Sequence, residues 1–277
     1  MTEACGLLNI GNQNAALIFN DLYRSFSIAQ LWLALGWRDI RARYRRTVLG
    51  PFWTVMSAGV LIFSLGAVYS ILWGVDLTGF LPYFSAGFIS WSLIVANTNE
   101  SCGAFLAGQD IIRSYKMPYA IHVLRVLWRN ILVFGHSLTI HLLVLLFIGN
   151  GLSWTNLLFI PGLLLTVLNC LWVGIFIATV CTRFRDVMQV VASIMQVMFF
   201  VTPIFWPADR IASQPIAEFI LVTANPLFHM VDVIRQPLIG MMPSTSSYIY
   251  LSVSLLVGLM MTIAVAGRFF RRLSYWL

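Results

Sequence analysis

LLFIPGLLLTVL, residues 157 to 168, contains no charged residue and no alternation of apolar with polar positions. LLVLLFIG, residues 142 to 149, repeats that character a short way upstream. A membrane β-barrel strand alternates with period two, so these runs exclude a barrel and leave helices, which satisfy their own backbone, as the only way across hydrocarbon. Working outward at roughly 20 residues per span, apolar stretches are placed at 52 to 73, 82 to 107, 126 to 148, 155 to 181, 187 to 206 and 248 to 267. Over the 277 residues, 60% are hydrophobic and 10% charged, with a mean hydropathy of +0.86; a soluble domain carries about 25% charged residues. The expected fold is an all-α integral membrane protein of six transmembrane helices, one domain over residues 1–277.

Charge fixes the expected topology. RDIRARYRRTVLGPFW, residues 38 to 53, sets five arginines and one aspartate before the first span. With six spans, basic residues fall as Arg24, Arg38, Arg41, Arg43, Arg45 and Arg46 before span one, and as Arg113, Lys116, Arg125 and Arg129 between spans two and three. Arg183 and Arg185 follow span four, and Arg268, Arg271 and Arg272 close the chain. That puts 15 of 17 on one side and leaves Arg210 and Arg235 opposite. The positive-inside rule then sets both termini in the cytoplasm. The start, MTEACGLLNIGNQNAAL, lacks a basic n-region and a long apolar core, so no cleaved signal peptide is expected.

Residues 22 to 46 have helical periodicity without enough apolarity to insert. Leu33, Trp37, Ile40 and Tyr44 form one stripe beside another of Arg38, Arg41 and Arg45, the pattern of a helix lying among lipid headgroups. These arginines serve as a topology anchor. Arg38, Arg41, Arg43, Arg45 and Arg46 are also candidates for meeting a phosphate-bearing lipid, because guanidinium groups bind phosphate oxygens in pairs.

A second unusual segment is TPIFWPADRIASQPIAEFILVTANPLFHMVDVIRQPLIGMMP, residues 202 to 243, with six of the ten prolines. Its uninterrupted pieces, 216 to 225 and 227 to 236, are too short to span. Asn225-Pro226 has the form of an N-cap with proline at the first helical position, and Leu227, Met230, Val231, Ile234 and Leu238 continue as one apolar stripe. A helical hairpin entering from the outer face is expected, with an ordinary packed outer loop as the alternative.

Chemistry-bearing groups are few. A P-loop requires a lysine after its glycines, and the chain's one lysine is Lys116 in SYKMPY; any ATP must be bound by another polypeptide. Glu100, in NTNESCG (97 to 103), is read as a packing or partner contact near the inner face in preference to a proton carrier, since proton relays need further acids. Cys5, Cys102, Cys170 and Cys181 show no metal or redox spacing. His136 and His141 sit about 140° apart around a helix and are read as interhelical hydrogen-bonders, so no metal site and no catalytic constellation is expected. Asp209, Glu218 and Asp232 are the outer acids, without catalytic spacing. Basic charge confined to loops at membrane ends speaks against nucleic acid. Trp91, Phe199, Phe200, Phe205 and Trp206 are candidates to line a path along which pyranose rings slide.

Several blocks together resemble a known family. WRDIRARYRRTVLGPFW (37 to 53), NESCGAF (99 to 105), IRSYKMPYAIHVLRVLWRNILVFGH (112 to 136), TRFRDV (182 to 187), TPIFWP (202 to 207), NPLFHMVDVIRQPLIG (225 to 240) and the terminal YWL look like the permease subunit of ABC type-2 polysaccharide exporters, above all those for O-antigen lipopolysaccharide. The resemblance implies a homodimer bound to two copies of a cytoplasmic ATPase that holds ATP and magnesium. It further implies export of an undecaprenyl-pyrophosphate-linked polysaccharide from cytoplasm to periplasm, which makes the lipid met by Arg38, Arg41, Arg43, Arg45 and Arg46 a lipid pyrophosphate. By the same likeness 22–46 is the interface helix, 107–125 the coupling region with Gln109, Asp110, Ile111, Ile112, Arg113, Tyr115 and Lys116 at the ATPase, and 207–243 the periplasmic gate. Asn225, Phe228 and Arg235, with Glu100 and the aromatics above, become channel or gate positions. Capsule or teichoic acid export, a proton-coupled carrier and a membrane-embedded transferase are the competing readings.

Overall fold

The computed structural model describes residues 2–45, 47, 50, 52–115, 117–149, 151–211 and 213–277, with the side chains of 2–14, 73, 271 and 274 outside the description. Arg46 and Lys116, both named above, therefore lie outside the described residues. Every regular element among the described residues is helical. Two helices precede the first span: α1 (Thr2–Ser27) and α2 (Ala29–Tyr44), broken at Ile28. The expected single helix over 22–46 is thus two, and Trp32 Nε1 donates to the Ser25 carbonyl at 3.1 Å across the bend.

Among the described residues, five helices are long and apolar enough to cross a membrane, or six where a bent pair counts as one span. The five are α3 (Phe52–Trp73), α4 (Leu77–Cys102), α7 (Ala120–Phe147), α8 (Phe159–Arg183, with a 3₁₀ lead-in Trp154–Leu158) and α12 (Thr245–Trp276). Between α4 and α7 lie α5 (Ala104–Ala107) and α6 (Gln109–Ser114). The sixth expected span, 187 to 206, is shorter than foreseen: α9 (Val187–Val201) stops where Thr202 turns to extended backbone before Pro203, since the residue ahead of a proline is pushed out of helical geometry. Fifteen residues rise only about 22 Å. After it come α10 (Pro215–Glu218), a π turn over Phe219–Thr223, and α11 (Pro226–Leu238), meeting at a bend of 73°. The proline-broken segment thus forms a bent helical pair, Pro215–Thr223 with Pro226–Leu238.

Burial ranks the spans. In α4, 67% of the apolar window is inside the protein, against 22% for α3 and for α12. α4 is the central post, packed by α7, α8 and α11, while α3 and α12 are peripheral. Small residues allow the close approaches: a Cβ at Gly162 would stand 2.1 Å from the Val233 carbonyl of α11, and one at Gly36 would stand 2.9 Å from Trp128 of α7. Several polar side chains inside the bundle find partners across helices, as expected where an unpaired group costs several kcal/mol, on the order of the desolvation penalty. His141 joins Ser85 Oγ (2.8 Å) to the Leu238 carbonyl (3.0 Å), the interhelical link expected of it. His136 differs: it bonds the Leu132 carbonyl one turn back on its own helix.

The antiparallel packing gathers the basic segments α1, α2, α5–α6 and the end of α12 at one pole, joined by contacts such as Arg43 to Glu100 and Phe105 to Phe270. Residues 202–245 form the opposite pole with the ends of α4 and α7.

Candidate functional site

At the basic pole, α2 lies against the end of α4 and the start of α7 through a five-membered charge network. Arg125 holds Asp39 with two hydrogen bonds, Nε at 2.6 Å and Nη2 at 2.5 Å, the paired geometry that makes guanidinium-carboxylate contacts strong. Arg129 bridges, reaching Asp39 at 3.3 Å and Glu100 at 2.6 Å, and Arg43 closes on Glu100 at 3.1 Å. Glu100 is therefore a packing contact that accepts from two arginines. Arg43, expected among the phosphate-attracting residues, is engaged here.

Arg38, Arg41 and Arg45 are exposed and take part in no ion pair among the described residues. With Ala34, Trp37 and Ala42 they line an open cleft of about 620 Å³. Trp37 leaves the apolar stripe in which its spacing had put it: it is 50% exposed, and Ile40 with Gly36 forms the buried line instead. The reason is local, because Gly36 brings α2 so close to Trp128 that a bulky indole fits only on the outer side. The charge network uses positions 39 and 43, and so turns 38, 41 and 45 outward.

α6, which follows α4 and α5, carries the expected coupling residues. Asp110, Arg113 and Tyr115 are exposed, Tyr115 at 63%, and Gln109 and Ile111 are half-buried. Ile112 is buried in the core and anchors the element. Asp21 of α1 accepts from the backbone amides of Tyr119 and Ala120, both at 2.8 Å, and so ties α1 to the start of α7 directly after α6. Burial raises the Asp21 carboxyl above its usual range, while the Ala120 and Tyr119 amides and nearby Arg24 pull it back. Nothing in the local sequence around Asp21, Asp39, Arg125 or Arg129 singles them out; the only available signal was that each is a charge beside an apolar run.

At the opposite pole Asn225 is an N-cap: its side-chain oxygen accepts from Leu227 and Phe228 amides at 3.0 and 3.4 Å, and its amide donates to Thr202. Arg235, read as an outer loop cation, is 1% exposed. Its guanidinium donates to the Pro203 carbonyl at 2.6 Å, lies 4.3 Å over the Tyr83 ring and 5.8 Å from that of Phe228, and stands 3.8 Å from Asp232. The candidate path aromatics do meet. Phe199 contacts Trp91, Phe200 and Phe205, Tyr69 stacks on Phe205 at 5.1 Å, and Trp206 donates to the Phe200 carbonyl. Among the described residues no group of three or more His, Cys, Asp or Glu is arranged to hold a metal.

Residues 30–239 of this chain match one family model, ABC-2 type transporter. The chain belongs to the ABC-2 type transporter family. Among curated relatives, an O-antigen export system permease protein, RfbA, of Klebsiella pneumoniae is 25% identical over 244 residues, covering 86% of this chain and 90% of its own length. RfbA of Myxococcus xanthus is 22% identical over 197 residues, 71% and 75% of the two chains. The polysialic acid transport protein KpsM of Escherichia coli is 23% identical over 238 residues, 84% and 90%. The ABC-2 match begins within α2 and ends just past α11, so it takes in the charge network, α6 and the bent pair.

Proposed function

We propose that this ABC-2 protein is the permease of an ATP-driven exporter that moves an undecaprenyl-pyrophosphate-linked, O-antigen-like polysaccharide across the bacterial inner membrane, from the basic pole to the other. The basic pole faces the cytoplasm, by the loop charge. Two copies form the path, and two copies of a separate ATPase dock on α6 and α2 and supply the work. Relatives named as O-antigen permeases support the cargo class. The observation that carries the headgroup role is the cleft of Arg38, Arg41 and Arg45 around Trp37, in which three cations are left unpaired while their neighbours are spent on Asp39 and Glu100. Unpaired guanidiniums at headgroup level attract a pyrophosphate through charge-assisted hydrogen bonds. The bent pair and the aromatic cluster form the exit, with the glycan sliding past rings that offer no fixed stop.

A second reading, capsular polysaccharide export, is favoured by the similarity to KpsM over most of both chains. A proton-coupled carrier fares worse, because Glu100 is already held by two arginines. The test is the double variant Arg41→Gln/Arg45→Gln. Export of polysaccharide in cells should fall at least several-fold with assembly and membrane level unchanged; unaltered export at normal expression would remove the headgroup role.

A further inference from the structure

The first turns of α7 are gripped from three directions, and one grip replaces something a helix normally supplies for itself. A helix N-terminus leaves amide donors in need of an acceptor, and Ser, Thr, Asp or Asn at the N-cap position is the usual local source. α7 has Tyr119 there, which makes no side-chain cap. Asp21 of α1, 98 and 99 residues back in the chain, provides the acceptors: Oδ1 takes the Tyr119 amide and Oδ2 that of Ala120, both at 2.8 Å. A carboxylate also suits the positive end of the helix dipole. What a cap from α1 adds over a local one is a link between elements.

α5 and α6 are seated on the same turn. The Phe105 ring meets those of Tyr119 and His122, at 6.1 and 6.4 Å between centroids, and Gly108 lies so close to His122 that a Cβ there would collide with its Nδ1. α2 holds the next turn. Asp39 takes Arg125 with two hydrogen bonds, and a Cβ at Gly36 would stand 3.1 Å from the Arg125 carbonyl. Ser25 braces the bend between α1 and α2: its carbonyl accepts from Trp32 Nε1 at 3.1 Å, and its hydroxyl donates to the Asp21 carbonyl at 2.7 Å. Residues 119–125 of α7 therefore carry both α6, the element expected to meet the ATPase, and the two limbs of the elbow that bears Arg38, Arg41 and Arg45.

We infer that Asp21 is a positioning residue: with Asp39 it clamps the α1–α2 elbow to the first turns of α7 at two points, so that displacement of α6 by the ATPase turns the arginine cleft with it. A single grip at Arg125 would leave α2 a pivot, whereas two grips fix its angle. The inference rests on the export reading and adds to it the residue through which force at α6 reaches the headgroup cleft.

The experiment uses the complex purified from its own cells into lipid nanodiscs, with Asp21→Asn, which keeps the size but gives up one acceptor and the charge. Export in cells should fall about five-fold, the low end of couplings between sites, while capture of the ATPase and its ATP hydrolysis stay near the wild-type level. Loss of fold would lower all three together. Asp21→Glu, which keeps both acceptor oxygens, should restore more than half of the export, and Asn20→Ala, exposed on the same helix, should match wild type. Should Asp21→Asn fail to assemble, hydrogen exchange on the wild-type complex decides: when ADP is replaced by a non-hydrolysable ATP analogue, the amides of 15–27 and of 109–122 should change together. Normal export by Asp21→Asn, export by Asp21→Glu no better than by Asp21→Asn, or a change at 109–122 with none at 15–27 would overturn the clamp. A wild-type chain that brings down no ATPase defeats the export reading itself, and the inference with it.

Discussion

At the scale of single residues, the tightest constraint is a glycine. Gly162 lets α8 pass against the backbone of α11, since a methyl group there would sit 2.1 Å from the Val233 carbonyl. Backbone cannot step aside as a side-chain tip can, so Gly162→Ala should separate α8 from α11. Gly79 is the control, with nothing within 4 Å of its would-be Cβ, and there alanine should be neutral or stabilising by up to about 1 kcal/mol through helix propensity. Thermal unfolding of the two purified variants decides it: a large fall in midpoint for Gly162→Ala with none for Gly79→Ala is expected, and equal behaviour would refute the close approach. Asn225 illustrates the opposite case, in which local chemistry was readable. Its Asn-Pro signature specifies cap and first turn within three residues, and the cap geometry follows.

Among the elements, α6 shows how burial divides a short amphipathic helix. Its spacing marked Ile111 and Ile112 alike as partner-facing, but only one apolar position of so short a helix can be fully seated on the bundle, and the fold seats Ile112. Ile112→Asp should therefore cost the protein its fold, at roughly 2–5 kcal/mol for a charge forced into the core. Arg113→Glu/Tyr115→Ala should leave folding intact and reduce capture of the ATPase. Size-exclusion profiles and pull-downs on both variants separate the outcomes. A well-folded Ile112→Asp protein, or undiminished capture by the exposed double variant, would show that the docking face lies elsewhere. For α2, too, the arginine-rich stripe was legible while the division of its labour was not: which arginines pair and which stay open depends on where α4 and α7 place Glu100, Arg125 and Arg129.

For the whole molecule, the chain with no lysine outside position 116 has no P-loop, and the family to which it belongs leads to one expectation about assembly. A tagged copy purified from its own cells should bring down a second chain that hydrolyses ATP, in equal number. Cargo movement by this polypeptide alone in vesicles, without ATP, would reject the powered-permease reading. Five of six expected spans are found as long helices, with ends displaced by up to nine residues from their reading, because a stretch of that apolarity has no other stable form in lipid. The sixth was overextended past Thr202, where proline chemistry outweighed continued apolarity.

What the sequence settled by itself was helical membrane architecture, the uneven distribution of positive charge and the proline-broken pair. Each is a local consequence of composition: hydrocarbon accepts only self-satisfied backbone, and Pro203 ends α9 by pushing Thr202 out of helical geometry. The tertiary structure alone decided that Asp39, Arg125, Arg129, Glu100 and Arg43 form one network, that Arg38, Arg41 and Arg45 are left over from it, and that Arg235 is buried beside Asp232. Electrostatic pairing depends on distances of a few ångströms between residues far apart in the chain, and no local pattern encodes them.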